Sequence, residues 1–255
     1  MENKKLFYDY IESRAQSGYG AALLVKLQTE TKYSLLIASE TIPAVFGTPS
    51  SFEFDLLNSR SLGRVAGKSS VDDKDVEFLL HRDNIYRLEQ FRGKVLDFLY
   101  FTPDCMAWHF VGQIRVRPND AGADVLRGTY TVVPMSVDDK PILDARDLIM
   151  ETALFSDVVP DSLNIDYGNS ASTDVLLASN VENATFECKI YDTTNGKVAT
   201  EESTTFNGTV SGNTLTIAQG ESVSTGTHYA LAFVTVNADG YASWTTTIAL
   251  STTKK

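Results

Sequence analysis

The chain has 255 residues, 43% hydrophobic and 22% charged, with 33 Asp+Glu against 22 Lys+Arg for a formal net charge of −11. That composition excludes a disordered chain, and no apolar run reaches the roughly 20 residues a membrane span needs. An acidic balance without clustered Lys and Arg also excludes a generic grip on nucleic-acid phosphates. Residues 1–10 carry no apolar h-region or small-residue cleavage site, so no secretion signal is expected.

Polar residues 1–19 carry the aromatics Phe7, Tyr8, Tyr10 and Tyr19, which suit an arm that docks on a neighbouring surface. Residues 20–28 and 33–38 read as two strands joined by a polar turn, and 51–56 alternates Phe52, Phe54 and Leu56 on one face. Residues 57–73 hold Arg60, Arg64, Lys68 and two glycines without a sustained period. They are expected to form a long loop, which in a compact domain usually serves a function.

A strand over 74–81 precedes a short helix capped by Asp83 or Asn84, with Ile85, Leu88 and Phe91 on one side and Gly93 ending it. Further strands are expected over 95–101, 106–116 and 124–135, and an amphipathic helix over 143–155. One helix in an antiparallel sheet set is an α+β or β-sandwich plan.

The surface chemistry changes near residue 158. Residues 1–158 hold 18 Lys+Arg and 23 Asp+Glu, whereas 159–255 hold 4 and 10 and contain no arginine. Ser+Thr rises from 20 of 158 residues to 28 of 97, which predicts two domains, 1–158 and 159–255.

Beyond the seam, 184–191 alternates strictly and runs into Asn195-Gly196, a two-residue hairpin signal. Asn207-Gly208 and Gly212-Asn213 flank a short run, 214–218 alternates again, and strands over 229–236 and 241–250 are separated by Asp239-Gly240. About seven such strands predict an antiparallel β-sandwich. Residues 227–236 resemble the penultimate strand of immunoglobulin-like domains, with Tyr229 in the position of the tyrosine corner. Trp244 is read as core packing in preference to a ligand platform.

Chemistry-bearing constellations do not emerge. His81, His109 and His228 have no second ligand-type residue at metal spacing, and Cys105 and Cys188 are read as unpaired thiols. His81-Arg82-Asp83 imitates a kinase catalytic loop, but Leu88 stands where the asparagine belongs. Gly63 to Ser69 imitates a phosphate loop with three residues between its glycines, one too few. Asp72-Asp73 and Asp138-Asp139 read as solvated turns, and the two Asn-x-Thr triplets at Asn183 and Asn207 as chance matches. No catalytic residue, metal or cofactor is expected.

Residues 67–84, with Gly112-Gln-Ile-Arg-Val-Arg-Pro-Asn119 and Arg127-Gly-Thr-Tyr-Thr-Val-Val-Pro-Met-Ser136, resemble the major tail tube proteins of long-tailed bacteriophages. The resemblance spans roughly residues 5–158. It implies a tail-tube-like β-sandwich or barrel domain followed by an appended immunoglobulin-like domain. It further implies a non-enzymatic virion protein that forms hexameric rings through a shared barrel. The rings stack into a tube, joined to other tail proteins, through which viral DNA passes without specific binding and without membrane insertion.

Contacts between subunits or rings then fall to Phe7, Tyr8 and Tyr10 of the arm and to Arg60, Arg64 and Lys68 of the loop. A bore suited to DNA would be net negative, with Glu53, Asp55, Asp75, Glu77 and Asp97 as candidates and few Lys or Arg. Two readings of other classes stay open. One is a receptor- or carbohydrate-binding tail component or adhesin using the immunoglobulin-like domain; the other is a glycan-active enzyme with an accessory sandwich.

Overall fold

Strand register in the first half sorts side chains into one face that is mainly apolar, with Ser34 and Lys74 at its edges, and one that is apolar only at one end. The computed structural model describes residues 21–39, 42, 49–55, 62–69, 73–118, 126–138, 140–153, 160–174, 183–212, 214–219 and 223–255, with backbone alone for 49–55, 62–69, 118 and 171–174. The chain is mainly β and divides into two units, Met1–Ile149 and Met150–Lys255.

The first unit contains β1 (Ala22–Leu27), β2 (Ser34–Leu35), β3 (Pro49–Asp55), β4 (Leu62–Ser69), β5 (Lys74–Leu79), α1 (Arg82–Phe91), β6 (Leu96–Phe101), β7 (Ala107–Pro118) and β8 (Arg127–Val137). Six of the strands form one antiparallel sheet in the order β2-β1-β6-β7-β8-β5. Edge strands β2 and β5 do not pair with each other, so the described residues contain no closed barrel.

Leu23, Val25, Phe98, Phe110, Ile114, Tyr130, Val76 and Phe78 are buried on one face. Phe98 and Phe110 stack there with centroids 4.9 Å apart, and Phe78 lies 5.8 Å from Tyr130. Helix α1 adds buried Leu88 and Phe91. Arg87 ties the helix to the sheet edge: its Nη2 donates to Ser34 Oγ (3.1 Å) and to the Leu35 carbonyl (3.2 Å), and its guanidinium lies over the Phe91 ring. Burial lowers the pKa of this guanidinium.

Three expectations are corrected in this unit. The stretch 57–73 is not a structureless loop: β4 occupies Leu62–Ser69 and pairs antiparallel with β3 in a separate two-stranded ribbon, Phe52 opposite Val65 and Phe54 opposite Gly63. The partner strand supplies the backbone bonds, so small residues without a clear period still form a strand.

The helix cap is His81, with extended backbone (φ −120, ψ 151), not Asp83 or Asn84. The Asp83 amide donates to His81 Nδ1 at 3.4 Å, and the Asp83 side chain is buried in the first turn.

The helix expected over 143–155 is also absent from the described residues of that stretch. A single 3-10 turn, Arg146–Leu148, interrupts extended chain. Ile142 pairs with Ala107 and Ile149 with Tyr33, while the Ala145 amide donates to the Cys105 carbonyl. The apolar spacing read as helical instead sets Ile142, Ala145, Leu148 and Ile149 against Leu24, Leu99 and Ala107.

The second unit contains β9 (Ser162–Asn164), β10 (Ser170–Asp174), β11 (Thr185–Thr194), β12 (Lys197–Glu202), β13 (Phe206–Ser211), β14 (Thr214–Gln219), β15 (Gly226–Asn237) and β16 (Trp244–Lys254). They form a five-stranded sheet, β12-β11-β15-β16-β9, and a three-stranded sheet, β10-β14-β13. Between the sheets lies one core of Ile190, Phe206, Leu215, Ile217, Ala230, Ala232, Val234, Ile248 and Leu250, as a sandwich requires.

Asn195 and Gly196, at φ 53 and 74, turn β11 into β12 as their sequence predicts. Asn207-Gly208, in contrast, is no turn but lies inside β13, where Gly208 lets the Cys188 sulfur approach. Tyr229 is no tyrosine corner: it sits within β15 opposite Thr193 and Ser251 and is 58% exposed.

The seam falls earlier than residue 158. Thr152 bridges Ala242, the Ala153 amide donates to the Ala242 carbonyl and the Ala242 amide donates to the Glu151 carbonyl, all within the second unit. Composition marks where surface chemistry changes, whereas these backbone bonds recruit the chain before that change.

Candidate assembly surface

Strand parity builds the other face of the six-stranded sheet. Leu24 is opposite Leu99 and Leu99 opposite His109; one step on, Lys26 is opposite Asp97. At the far end Asp75 is opposite Thr131, Thr131 opposite Arg115, and Glu77 and Arg117 flank Thr129. Residues 142–149 cover the apolar end of this face. Its other end is open and charged.

Two ion-pair groups organise the charge. Asp97 lies between Lys26 Nζ (3.4 Å) and His109 Nε2 (3.7 Å). His109 Nδ1 donates to Asp138 Oδ2 at 2.6 Å, and the Asp138 amide donates back to the His109 carbonyl. Lys26 also sits 5.1 Å above the Tyr33 ring. Burial, with Asp97 and Asp138 nearby, pushes the Tyr33 hydroxyl up to about 12.

In the second group Asp75 accepts from Arg117 Nη2 (2.5 Å) and Thr131 Oγ1 (2.6 Å), beside Arg115. Asp73, Asp75, Arg115, Arg117 and Thr131 line a shallow hollow of about 390 Å³. Such exposed pairs contribute little stability each, on the order of 0–1 kcal/mol. Their effect is to neutralise the surface locally.

Of the sequence-predicted lumen carboxylates, Asp75, Glu77 and Asp97 fall on this one face. They share it with Lys26, Arg115, Arg117 and Arg127, so the face is charge-balanced and not depleted of basic groups. Cross-strand register, invisible in a single segment, creates that pairing. Glu53 and Asp55 belong to β3, whose side chains lie outside the described residues.

Phe7, Tyr8, Tyr10 and Arg60 also lie outside the described residues. Arg64 and Lys68 belong to β4, with Arg64 opposite Glu53 in the backbone register; their side chains are not described. Sequence reasoning missed the His109–Asp138 contact because Asp138 follows the end of β8, and a bulge between Val111 and Gly112 sets its phase.

Edges complete the surface. β5 has β8 on one side and no ladder partner on the other among the described residues. At its end the Leu80 amide donates to the Leu126 carbonyl, and Leu79 and Leu126 are 47% and 50% exposed. Among the described residues the β3–β4 ribbon likewise has two strands and no third. No group of three or more metal-ligating side chains occurs among the described residues, and none of their helices is long and apolar enough to cross a membrane. Compared with protein-family models and with curated proteins, the chain matches none.

Proposed function

We propose that this chain is a self-assembling structural subunit, the tail tube protein of a long-tailed bacteriophage carrying an appended immunoglobulin-like domain. Unfinished β-structure in the first unit carries the reading. Among the described residues the sheet ends at edge β5 without a ladder partner, the β3–β4 ribbon is separate from it, and a ribbon of two strands is marginal in water by itself. Unpaired strand edges demand cover or a partner, and a head-to-tail contact that closes by rotation makes a ring.

Hexameric rings, stacked and joined to other tail proteins in the virion, place DNA in the bore as cargo, without catalysis. A bore lined by the open face is charge-balanced and not net acidic. Paired arginines such as Arg117 with Asp75 have less positive potential to offer a phosphate, which suits sliding without specific binding. Negative-stain electron microscopy of the purified chain tests this: rings or tubes of uniform width are expected. A strictly monomeric particle at every concentration refutes it. Replacing residues 49–69 with a short Gly-Ser linker should abolish tubes while the Phe98–Phe110 core still melts cooperatively.

One observation favours a binding role for the second unit alongside. Tyr191 and Phe233 meet edge to face at 5.7 Å on the outer side of the five-stranded sheet, near exposed Tyr229. A glycan-array screen with Tyr191→Ala and Tyr229→Ala controls separates the two roles.

A further inference from the structure

We propose that Asn195 is a site of spontaneous backbone modification, converting through a cyclic imide to aspartate and isoaspartate, and that the isoaspartate product releases β12. Asn195 and Gly196 are both exposed and form the whole two-residue connection between Thr194 and Lys197, which pair across the hairpin. Both sit at positive φ, 53 and 74. In a loop of this type the second residue's amide carries no ladder bond, and glycine presents no Cβ to obstruct the approach of its nitrogen to the preceding side chain.

The chemistry needs water alone. The Gly196 backbone nitrogen, losing its proton to solvent base, attacks the Asn195 side-chain carbonyl carbon. A C–N bond forms and the side-chain nitrogen leaves with a proton as ammonia, giving a five-membered imide. Water then adds to either imide carbonyl and breaks that C–N bond. One opening gives aspartate; the other gives isoaspartate, with the chain routed through the side-chain carbon. No electrons are exchanged with another reactant.

Asn207-Gly208 has the same two residues in a different backbone setting: Asn207 is exposed too, but it lies inside a strand and not in a turn. Asn207 is paired to Ala218 and Gly208 to Ile217 within β13. A Cβ at Gly208 would lie 2.6 Å from Cys188 Sγ, so the backbone there is packed as well as paired. Cyclisation at Asn207 must break this pairing first. The fold therefore selects between two chemically equal dipeptides.

Isoaspartate lengthens the backbone by one methylene inside a connection of two residues. The Thr194–Lys197 closing pair loses its register, and β12 has little to hold it. Every residue of β12 is exposed, and among the described residues β11 is its one sheet neighbour. The aged form thus presents the bare edge of β11 as a new strand-pairing surface.

The test incubates the full chain in mildly alkaline buffer below its melting temperature, then maps peptides by mass spectrometry with fragmentation that distinguishes isoaspartate. Breaking a single ladder bond corresponds to about a tenfold rate difference, so Asn195 should convert at least about tenfold faster than Asn207. In urea-unfolded chain the two should convert alike. Equal rates at the two sites in the folded chain overturn the selection argument. Asn195→Gly should keep the hairpin and show no conversion there. Hydrogen exchange then reads the consequence: amides of Lys197–Glu202 should lose protection in the isoaspartate fraction, and retained protection overturns the release of β12.

Discussion

Gly208 sets how closely the two sheets of the second unit approach, and enlarging it by one methyl gives a calculable response. A Cβ at this position would lie 2.6 Å from Cys188 Sγ, 3.2 Å from Ile190 Cδ1 and 3.4 Å from Cys188 Cβ. These neighbours belong to β11 in the five-stranded sheet, whereas Gly208 is in the three-stranded one. The Cys188 side chain is short and pinned between the sheets, so relief requires the sheets to part or the thiol to take a worse rotamer. Overpacking of this kind costs about 1–3 kcal/mol. Losing glycine from the unfolded chain returns roughly 0.4–1 kcal/mol. The net expectation for Gly208→Ala is a loss of about 1–2 kcal/mol, or a fall in Tm of roughly 4–15 °C for a unit of this size.

The assay exploits the chain's two tryptophans, Trp108 and Trp244, one in each unit. In a Trp108→Phe background, fluorescence follows the second unit alone during urea unfolding. Cys188→Ala removes the clashing sulfur, so Gly208→Ala added to it should cost almost nothing, a coupling of about 1–2 kcal/mol. Strict additivity of the two substitutions refutes the clash. So does a Gly208→Ala variant as stable as its parent.

Other outcomes follow from buried polar groups. Arg87→Met should destabilise the first unit by about 2–3 kcal/mol, since it removes charged hydrogen bonds to Ser34 and Leu35; Trp108 fluorescence in a Trp244→Phe background reads the change. Burial pushes the Tyr130 hydroxyl up to about 12, with its Ser39 bond opposing the shift. The unfolded phenol ionises near its ordinary value of 10.0 and so binds fewer protons than the folded one between there and about 12. Stability should therefore fall as pH rises through that window, and Tyr130→Phe should flatten the fall in urea titrations. Burial also pushes the Cys188 thiol up to about 11, so at neutral pH it should resist alkylation until the second unit unfolds, as peptide mapping would show.

Legibility tracked how local each signal is. Asn195-Gly196 was readable because the turn needs nothing beyond its own two residues to adopt positive φ. The strands around Phe98 and Phe110 were readable as short apolar, aromatic-rich runs bounded by turn residues. β4 was not, since Leu62–Ser69 becomes a strand through pairing with Pro49–Asp55 and its own period is weak. Ile142, Leu148 and Ile149 misled because apolar residues at such spacings fit a helix face and also fit points where extended chain touches a core. The charge pairing on the open face was least readable. Lys26, Asp97, His109 and Asp138 lie on four separate segments, and only register brings them together.

The boundary between the units makes the same distinction testable. Composition places the change near residue 158, yet the backbone of 151–153 is bonded to Ala242, with the Ala242 amide on the Glu151 carbonyl and the Ala153 amide on the Ala242 carbonyl. Ala153 is fully buried. A fragment of residues 150–255 retains both bonds, whereas one of 160–255 loses them and the Ala153 methyl together. Two backbone bonds at about 0.5–1.5 kcal/mol each, with a small apolar group of roughly 0.8 kcal/mol, give an expected difference of about 2–4 kcal/mol. Both fragments keep the sandwich core between Ile190 and Leu250, so both should fold and give sharp near-ultraviolet circular dichroism, and urea midpoints of the two measure the gap. Equal midpoints would return the boundary to the compositional seam and make the Ala242 contacts incidental.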